Sequence, residues 1–176
     1  AITGTGTAAN YDISVTSGTL SVSKAPLTIT ADNKTRIYGD EVPILSYSGN
    51  PLQLKYSDTL SVVSAVALSA PTGSAATVGT HTIVASGGTA LNYAITTANG
   101  TLTVDPATLT VAADGKSRPI GEANPPLTAT LTGFRYGQSA ADLGGALRLS
   151  TVAGISSPVG SYLIEPAGYT ATNYSF

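Results

Sequence analysis

Apolar and polar residues alternate with a period of two along most of the chain, which is the pattern of half-buried β-strands. The alternation is clearest at residues 27–31 and recurs at 109–113. Other segments of strand character are 37–38, 44–47, 60–63, 66–68, 80–84, 93–95 and 101–104. One helical candidate, residues 138–147, is interrupted by Gly144 and Gly145, so at most one helical turn is expected there. The pattern therefore predicts an all-β protein.

Turn-forming residues separate these segments. Asn99-Gly100 is a strong hairpin signal, because both central residues of a type I′ turn need positive φ, and it would join the strand at 93–95 to the strand at 102–104. Six or seven short strands in about 80 residues predict a β-sandwich of immunoglobulin type. A β-grasp-like arrangement or a small barrel is the alternative.

The sequence also repeats itself. Leu27 and Leu109 begin the same ten-residue pattern, 82 residues apart, and Asn-Tyr recurs at 10–11, 92–93 and 173–174. A long fixed period predicts tandem modules. We assign residues 1–24 to the closing strands of a preceding module, 25–105 to a complete module, and 106–176 to a second module that lacks its last strand. Each module is expected to have its own core and, because the linkers contain Pro26 and Pro106, to sit in a stiff rod-like array.

The closing strand has a recurrent sequence, Gly-Thr-Leu-Ser/Thr-Val, at residues 18–22 and 100–104. The module that lacks it would present an unpaired sheet edge. Residues 11–22 have the required chemistry, so we predict strand exchange between neighbouring copies, or packing of these residues as an extra hairpin on the middle module.

The composition argues against several classes of function. Only 10% of residues are charged and the net charge is −2, which argues against nucleic-acid binding. No apolar run approaches the ~20 residues of a membrane span, so no membrane insertion is expected. The chain has no cysteine, which excludes thiol catalysis and Cys-ligated metal sites and is compatible with export as an unfolded chain.

No set of side chains predicts catalysis. His81 is the only histidine and stands where the second copy has Tyr162, so a half-buried ring with one hydrogen bond is expected. Asp32 and Asp114 open turns, where their side chains can accept bonds from backbone N–H groups. We therefore expect no enzyme activity, no metal and no cofactor.

Two pairs of basic residues recur at the module period: Lys34 with Arg36, and Lys116 with Arg118. Each pair falls on one face of a strand. One interpretation is a solvated face whose charges deter aggregation. The other is a repeated cationic stripe that binds an anionic polysaccharide, with repetition adding avidity.

Tyr11, Tyr93 and Tyr174 occupy one repeat position, and we expect them to be buried with a hydrogen-bonded OH.

The chain resembles the MBG-type repeats, of the Tyr-Gly variety, found in bacterial surface and secreted filamentous adhesins. The resemblance rests on residues 27–40, which end in Ile-Tyr-Gly-Asp, on the Asn-Tyr strands, and on the same pattern in the second copy. It departs where Ile120 replaces the motif tyrosine and where His81 replaces the aromatic residue found at Tyr162.

The resemblance implies a non-catalytic stalk or spacer of an adhesin that acts in biofilm or host attachment, placed outside the cell or on the bacterial surface. The alternative is an adhesive module that itself binds carbohydrate or a host or matrix surface.

Overall fold

A computed structural model describes residues 16–176, which are built from short strands and single 3₁₀ turns. The strands of the first repeat are β1 (Ala25–Ala31), β2 (Lys34–Ile37), β3 (Tyr47–Gly49), β4 (Ser64–Ser69), β5 (Gly79–Thr89), β6 (Tyr93–Ala98) and β7 (Gly100–Asp105). Those of the second are β8 (Ala107–Thr108), β9 (Thr110–Ala113), β10 (Ala129–Thr132), β11 (Gly144–Ser150), β12 (Glu165–Thr170) and β13 (Tyr174–Ser175). The 3₁₀ turns are Pro51–Gln53, Leu60–Val62, Gly73–Ala75 and Ala140–Asp142. The all-β class is confirmed.

The first repeat contains two sheets, one with the strand order β3-β1-β6 and the other with the order β2-β7-β5-β4. Two of the pairings are parallel, β1 with β6 and β2 with β7. The sheets of an immunoglobulin sandwich are antiparallel, so these parallel pairs distinguish the repeat from that arrangement. The second repeat reproduces the parallel pair as β13 with β8, and the antiparallel pairs as β10 with β9 and β11 with β12.

The predicted hairpin at Asn99-Gly100 is wrong. The strands on either side of it enter different sheets, because β6 pairs with β1 whereas β7 pairs with β5 and β2. A Cβ at Gly100 would overlap the carbonyl oxygen of Ala31, so this glycine is needed where two backbones come close. The Asn99 side chain accepts a hydrogen bond from Ala85 N (3.1 Å), which ties the crossover to β5.

Side chains that cap 3₁₀ turns explain the structure of two other segments. The strand predicted at 60–63 is wrong, because Leu60–Val62 is a 3₁₀ turn and the Thr59 side chain accepts a bond from Ser61 N (3.4 Å). The helical candidate at 138–147 is confirmed as a single turn at Ala140–Asp142. Its capping box is formed by the side chains of Ser139 and Asp142.

Two clusters of buried apolar residues hold these strands together. One lies within the first repeat and contains Leu27, Ile29, Val63 and Tyr93. The other crosses the boundary between the repeats, and its members include Ile83, Leu102, Val104, Ala107, Leu109 and Tyr174. This differs from the prediction of a separate core in each module. The reason is that β7 continues through Pro106 into β8, so that the last strand of one repeat and the first of the next contribute to the same interior.

Residues 1–15 lie outside the described part of the chain, and with them lie Tyr11 and most of the predicted closing strands of a preceding module. Residues 16–24 form no strand, and Leu20 and Val22 are 92% and 90% exposed. Over residues 16–176, no helix combines the length and the apolar character needed to cross a membrane.

Candidate functional site

The candidate site is the boundary between the two repeats, where aromatic contacts and hydrogen bonds cross from one repeat to the other. It is centred on Tyr38 and Gly39. Tyr38 follows β2 directly, and its backbone N donates to Asp105 O at 2.8 Å. Its ring is 1% exposed, although a tyrosine at the end of a short strand in a single domain would ordinarily reach solvent. Residues of the second repeat therefore bury it.

Aromatic side chains of the second repeat surround the Tyr38 ring. Tyr136 and Tyr174 both meet it edge to face, with ring centroids 5.4 Å and 5.6 Å away. Phe134 packs in the same way against Tyr174 at 5.9 Å. Such T-shaped pairs place the positive edge of one ring on the negative face of another, and each contributes about 0.5–1.5 kcal/mol beyond burial.

Polar contacts fix the orientation of this aromatic cluster. Gln138 Oε1 accepts from Tyr38 OH (3.3 Å) and from Tyr174 OH (2.5 Å), so one amide oxygen joins both repeats. Asn173 Oδ1 accepts from Val78 N at 3.0 Å, which is a second bond across the boundary. Unlike apolar packing, hydrogen bonds are directional, so these bonds restrict the angle between the repeats.

Gly39 allows the second repeat to approach. Its φ of +97° lies in the region that favours glycine, and a Cβ there would overlap the side-chain carbons of Arg135. The Arg135 guanidinium also lies 3.9 Å from an Asp40 carboxylate oxygen, as a half-exposed ion pair of little strength. The Tyr-Gly dipeptide thus forms the joint between the repeats. Tyr38 contributes the buried ring, and Gly39, which has no Cβ, leaves room for the Arg135 side chain.

The electrostatic state of the joint follows from its burial. Burial raises the pKa of Tyr38, and the neighbouring Tyr174 and Tyr136 raise it further, because a phenolate would be poorly hydrated and would repel theirs. The Tyr38 side chain is therefore neutral at physiological pH.

The prediction of buried, hydrogen-bonded tyrosines is confirmed for Tyr93 and Tyr174, which are 3% and 6% exposed. Tyr93 OH accepts from Lys55 N and donates to Asp58, both at 2.8 Å. Tyr174 OH accepts in the same way from Arg135 N at 2.9 Å and donates to Gln138. Gln138 was not recognised in the sequence as a site residue. The available signal was its position, since it stands 80 residues after Asp58 in the repeat.

The four basic residues of the predicted stripe divide into two kinds. Arg36 is 6% exposed, and its guanidinium donates to the carbonyls of Asp40 and Gly73. It is thus not on a solvated face, because the loops after β2 and before β5 close over it. Arg118 repeats this role by donating to the Gly154 carbonyl, and its Nε donates to Asn124 Oδ1 at 2.7 Å.

The two lysines behave differently. Lys34 is half-buried and Lys116 is exposed. Among residues 16–176, the only pair within 4.0 Å that qualifies as a salt bridge is Arg135 with Asp40, so neither lysine is neutralised by direct contact there. A ligand-binding stripe of Lys34, Arg36, Lys116 and Arg118 stays a prediction; Lys116 is its exposed member, Lys34 and Arg118 are half-buried, and Arg36 is buried.

The remaining polar candidates have structural contacts. The half-buried ring with one hydrogen bond predicted for His81 is confirmed, since its Nε2 lies 2.6 Å from Thr77 O. Tyr162 repeats the contact by donating to Pro158 O at 3.0 Å. Over the described range, no three His, Asp or Glu side chains come together as a candidate metal site.

Asp32 and Asp114 link neighbouring strands. Asp32 accepts from Ser46 Oγ at 2.6 Å, and Asp114 accepts from Thr128 Oγ1 at 2.6 Å and Thr130 Oγ1 at 2.9 Å. The partners are hydroxyls across the strand pair, whereas the sequence predicted backbone N–H groups. These hydroxyl bonds stabilise the charged form, and the bond from Ser46 or Thr128 is the largest cause lowering the pKa of each carboxyl.

Comparison with family models gives a match to the MBG domain (YGX type) over residues 27–103 and again over 109–176. The two matched regions meet at the joint described above, and the Tyr-Gly of the family description corresponds to Tyr38-Gly39. No curated protein and no solved structure matches the chain.

Proposed function

Since the chain belongs to the MBG domain family of the YGX type, we propose that it is a non-catalytic structural repeat, a stalk or spacer of a bacterial surface or secreted adhesin. Its work is mechanical: consecutive repeats hold a binding region at a distance from the cell. The protein would then act outside the cell or on its surface, in attachment or biofilm formation.

The observation that carries this proposal is the joint. A spacer must resist bending between its units, and here two repeats share one buried cluster around Tyr38, Tyr174 and Gln138. Polar side chains that recur in both repeats support the same conclusion. At four positions, equivalent side chains in the two repeats make equivalent hydrogen bonds that stabilise the fold. These equivalent side chains are Tyr93/Tyr174, Arg36/Arg118, His81/Tyr162 and Asp32/Asp114.

The first test is location. Antibodies raised against this protein should label intact cells of the source organism or detect the protein in the culture medium. Labelling that appears only after lysis contradicts the proposal.

The second test separates a spacer from a binding module. Residues 25–176 are replaced, within the parent protein, by an unrelated β-repeat of equal length. A spacer role predicts that attachment of the cells is retained, whereas deletion of the same residues weakens it. Loss of attachment in the replacement variant would instead assign binding to the repeats themselves.

The second candidate is a carbohydrate- or matrix-binding module. It is supported by Lys34 and Lys116, which occupy equivalent positions without a salt-bridge partner in the described chain. Repetition of a weak cationic contact would raise the avidity for an anionic polysaccharide.

A polysaccharide array tests this candidate. Binding should fall in the double variant Lys34→Ala/Lys116→Ala and with added salt, because the contact is ionic and exposed. The control Lys24→Ala/Lys55→Ala removes the same charge from two exposed lysines outside the predicted stripe and should bind normally. Absence of saturable binding by the unmodified protein, or equal loss in both variants, contradicts it.

A further inference from the structure

The first two and the last two strands of the first repeat form one parallel ladder. Residues 25–30 of β1 pair with 93–98 of β6, and residues 34–37 of β2 pair with 102–105 of β7. Partners stand 68 residues apart in both ranges, so the register is unchanged although the two ranges belong to different sheets. Together, residues 25–37 and 93–105 form what we term the parallel ladder.

Backbone hydrogen bonds close the parallel ladder at both ends. Ala25 N donates to Asn92 O at 2.9 Å at one end, and Tyr38 N donates to Asp105 O at 2.8 Å at the other. The pairing therefore begins where the chain enters the first repeat and ends where the chain leaves it. Tyr38 also provides the buried ring of the joint, so this end of the ladder is packed against the second repeat.

A side chain bridges the middle of the parallel ladder, where the strands pass from one sheet to the other. Asn33 Oδ1 accepts a hydrogen bond from Thr101 N at 2.8 Å, between the last pair of β1 and the first pair of β2. Gly100 lies beside this bond, and its lack of a Cβ allows the strand to approach the carbonyl oxygen of Ala31. The pairing thus continues across the change of sheet, with one side-chain oxygen as the acceptor.

The parallel ladder is also buried and paired on its outer sides. Leu27 and Ile29 in β1 and Leu102 and Val104 in β7 are at most 1% exposed. In addition, β1 pairs with β3, and β7 pairs with β5. The strand that begins the repeat and the strand that ends it are therefore both internal to their sheets. Neither strand can leave until the bonds on both of its sides are broken.

The second repeat begins the same ladder. Its first strand, β8, pairs in parallel with β13. Ala107 N donates to Asn173 O at 3.1 Å, as Ala25 N donates to Asn92 O in the first repeat. The parallel pairing of the entering strand with the strand after Asn-Tyr is thus a property of the repeat and is not confined to one copy.

The direction of the strands decides how the parallel ladder responds to tension. Tension along the chain pulls Ala25 and Asp105 apart, and these residues lie at opposite ends of the ladder on parallel strands. The strands are therefore pulled past each other along their length, so the hydrogen bonds between them carry the tension together. If both pulls acted at one end of the ladder, the strands would instead separate pair by pair. Forced unfolding is governed by the rate of unfolding, which is slower when several bonds must break in one step.

We propose that the parallel ladder is a mechanical clamp, which resists unfolding of the repeat under tension applied through its two ends. The use of this clamp in the cell rests on the proposed spacer role, since a spacer between a cell and an attached surface is under tension. The clamp itself is a property of the first repeat and can be tested on the purified protein. The joint restricts the angle between repeats, whereas the ladder keeps the repeat folded.

Single-molecule force spectroscopy tests the clamp by changing the direction of pulling. The chain has no cysteine, so handles can be attached through pairs of introduced cysteines. The pair Ser23→Cys/Asp105→Cys pulls along the ladder and the pair Ser23→Cys/Leu91→Cys pulls at one end of it, and all three positions are exposed. At one constant force, the folded repeat should last at least ~10-fold longer with the first pair, because each additional bond that must break in the same step slows unfolding by ~2- to 12-fold. Equal lifetimes, or a longer lifetime with the second pair, overturn the proposal.

Removal of one bond from the parallel ladder gives a second test. Asn33→Ala deletes the acceptor of Thr101 N and should shorten the lifetime along the ladder by ~2- to 12-fold. The change should be smaller when the ladder is pulled at one end, because the first pairs to separate there are distant from Asn33. The control Asn50→Ala deletes a similar bond outside the ladder, from Leu52 N at 3.0 Å, and should leave the lifetime along the ladder nearly unchanged. Equal effects of the two substitutions in that direction contradict the proposal.

These outcomes separate the clamp from the spacer role. Equal lifetimes in the two pulling directions, together with antibody labelling of intact cells, would refute the clamp and leave the spacer role standing. A longer lifetime along the ladder, together with labelling only after lysis, would support the clamp and contradict the role outside the cell.

Discussion

Truncation of Tyr38 tests whether the two repeats are one cooperative structure. The ring is 1% exposed and lies against Tyr136 and Tyr174 of the second repeat. Replacement of a buried aromatic residue by alanine costs about 3–5 kcal/mol of folding free energy. For a protein of this size, that corresponds to a fall in melting temperature of about 6–20 °C.

The variant Tyr38→Phe removes only the hydroxyl. Its bond to Gln138 is long, at 3.3 Å, and Gln138 Oε1 keeps its shorter bond from Tyr174. No acceptor is left unsatisfied, so the cost should lie at the low end of the range for one hydrogen bond, about 0.5 kcal/mol. The contrast between the two variants separates the contribution of the ring from that of the hydroxyl.

Urea denaturation followed by circular dichroism gives these free energies, and a double-mutant cycle with Tyr136→Ala gives the coupling across the joint. The coupling should be about 0.5–1.5 kcal/mol, the range for an edge-to-face pair. Tyr56→Ala truncates a tyrosine that is 99% exposed and serves as the control, with an expected change within about 0.5 kcal/mol at a concentration where the chain is monomeric. A cost below about 1 kcal/mol for Tyr38→Ala, without coupling to Tyr136, would refute the shared core.

Two other predictions concern the joint and the strand links. Gly39→Ala should destabilise the folded protein by about 1–3 kcal/mol, because φ is +97° and the new Cβ would overlap the Arg135 side chain. The control Gly115→Ala, where nothing lies within 4 Å of the new Cβ, should have little effect in the same denaturation assay. Equal effects of the two substitutions would contradict this explanation. Because hydroxyl hydrogen bonds lower the folded pKa values of Asp32 and Asp114 below the ordinary value of an aspartic acid, the stabilisation from these carboxyls is present above that ordinary pKa. It is lost as the pH falls through the folded pKa values. Melting temperatures between about pH 2 and 6 should therefore fall less steeply in Asp32→Asn/Asp114→Asn than in the unmodified protein, and parallel curves would show that these carboxyls contribute nothing.

The sequence predicted the features that are set by local patterns. Alternation at residues 27–31 predicted β1, because one face of that strand is buried and the other is not. The recurrence of Asn-Tyr predicted the buried Tyr93 and Tyr174, because the same loop closes over each ring with its own backbone N–H. The one-turn limit at 138–147 followed from the two glycines there.

The features that it missed depend on distant partners. Asn99-Gly100 has the composition of a hairpin turn, but β6 and β7 have better partners in β1 and β5, which no local signal reveals. Arg36 alternates like a surface residue, and it is buried because the loop at Gly73 closes over it. The joint is missed for the same reason, since Tyr38 and Gln138 are 100 residues apart.

The distance between one site in each repeat tests the central claim, that the repeats form a stiff pair through their shared core. The chain has no cysteine, so spin labels can be placed at Thr97→Cys in β6 and Ser150→Cys in β11, both exposed, with the labelled protein diluted in unlabelled protein. Pulsed electron paramagnetic resonance should give a single narrow distance distribution, which Tyr38→Ala broadens. A broad distribution in the protein with Tyr38 intact would show that the repeats move independently and would contradict the account.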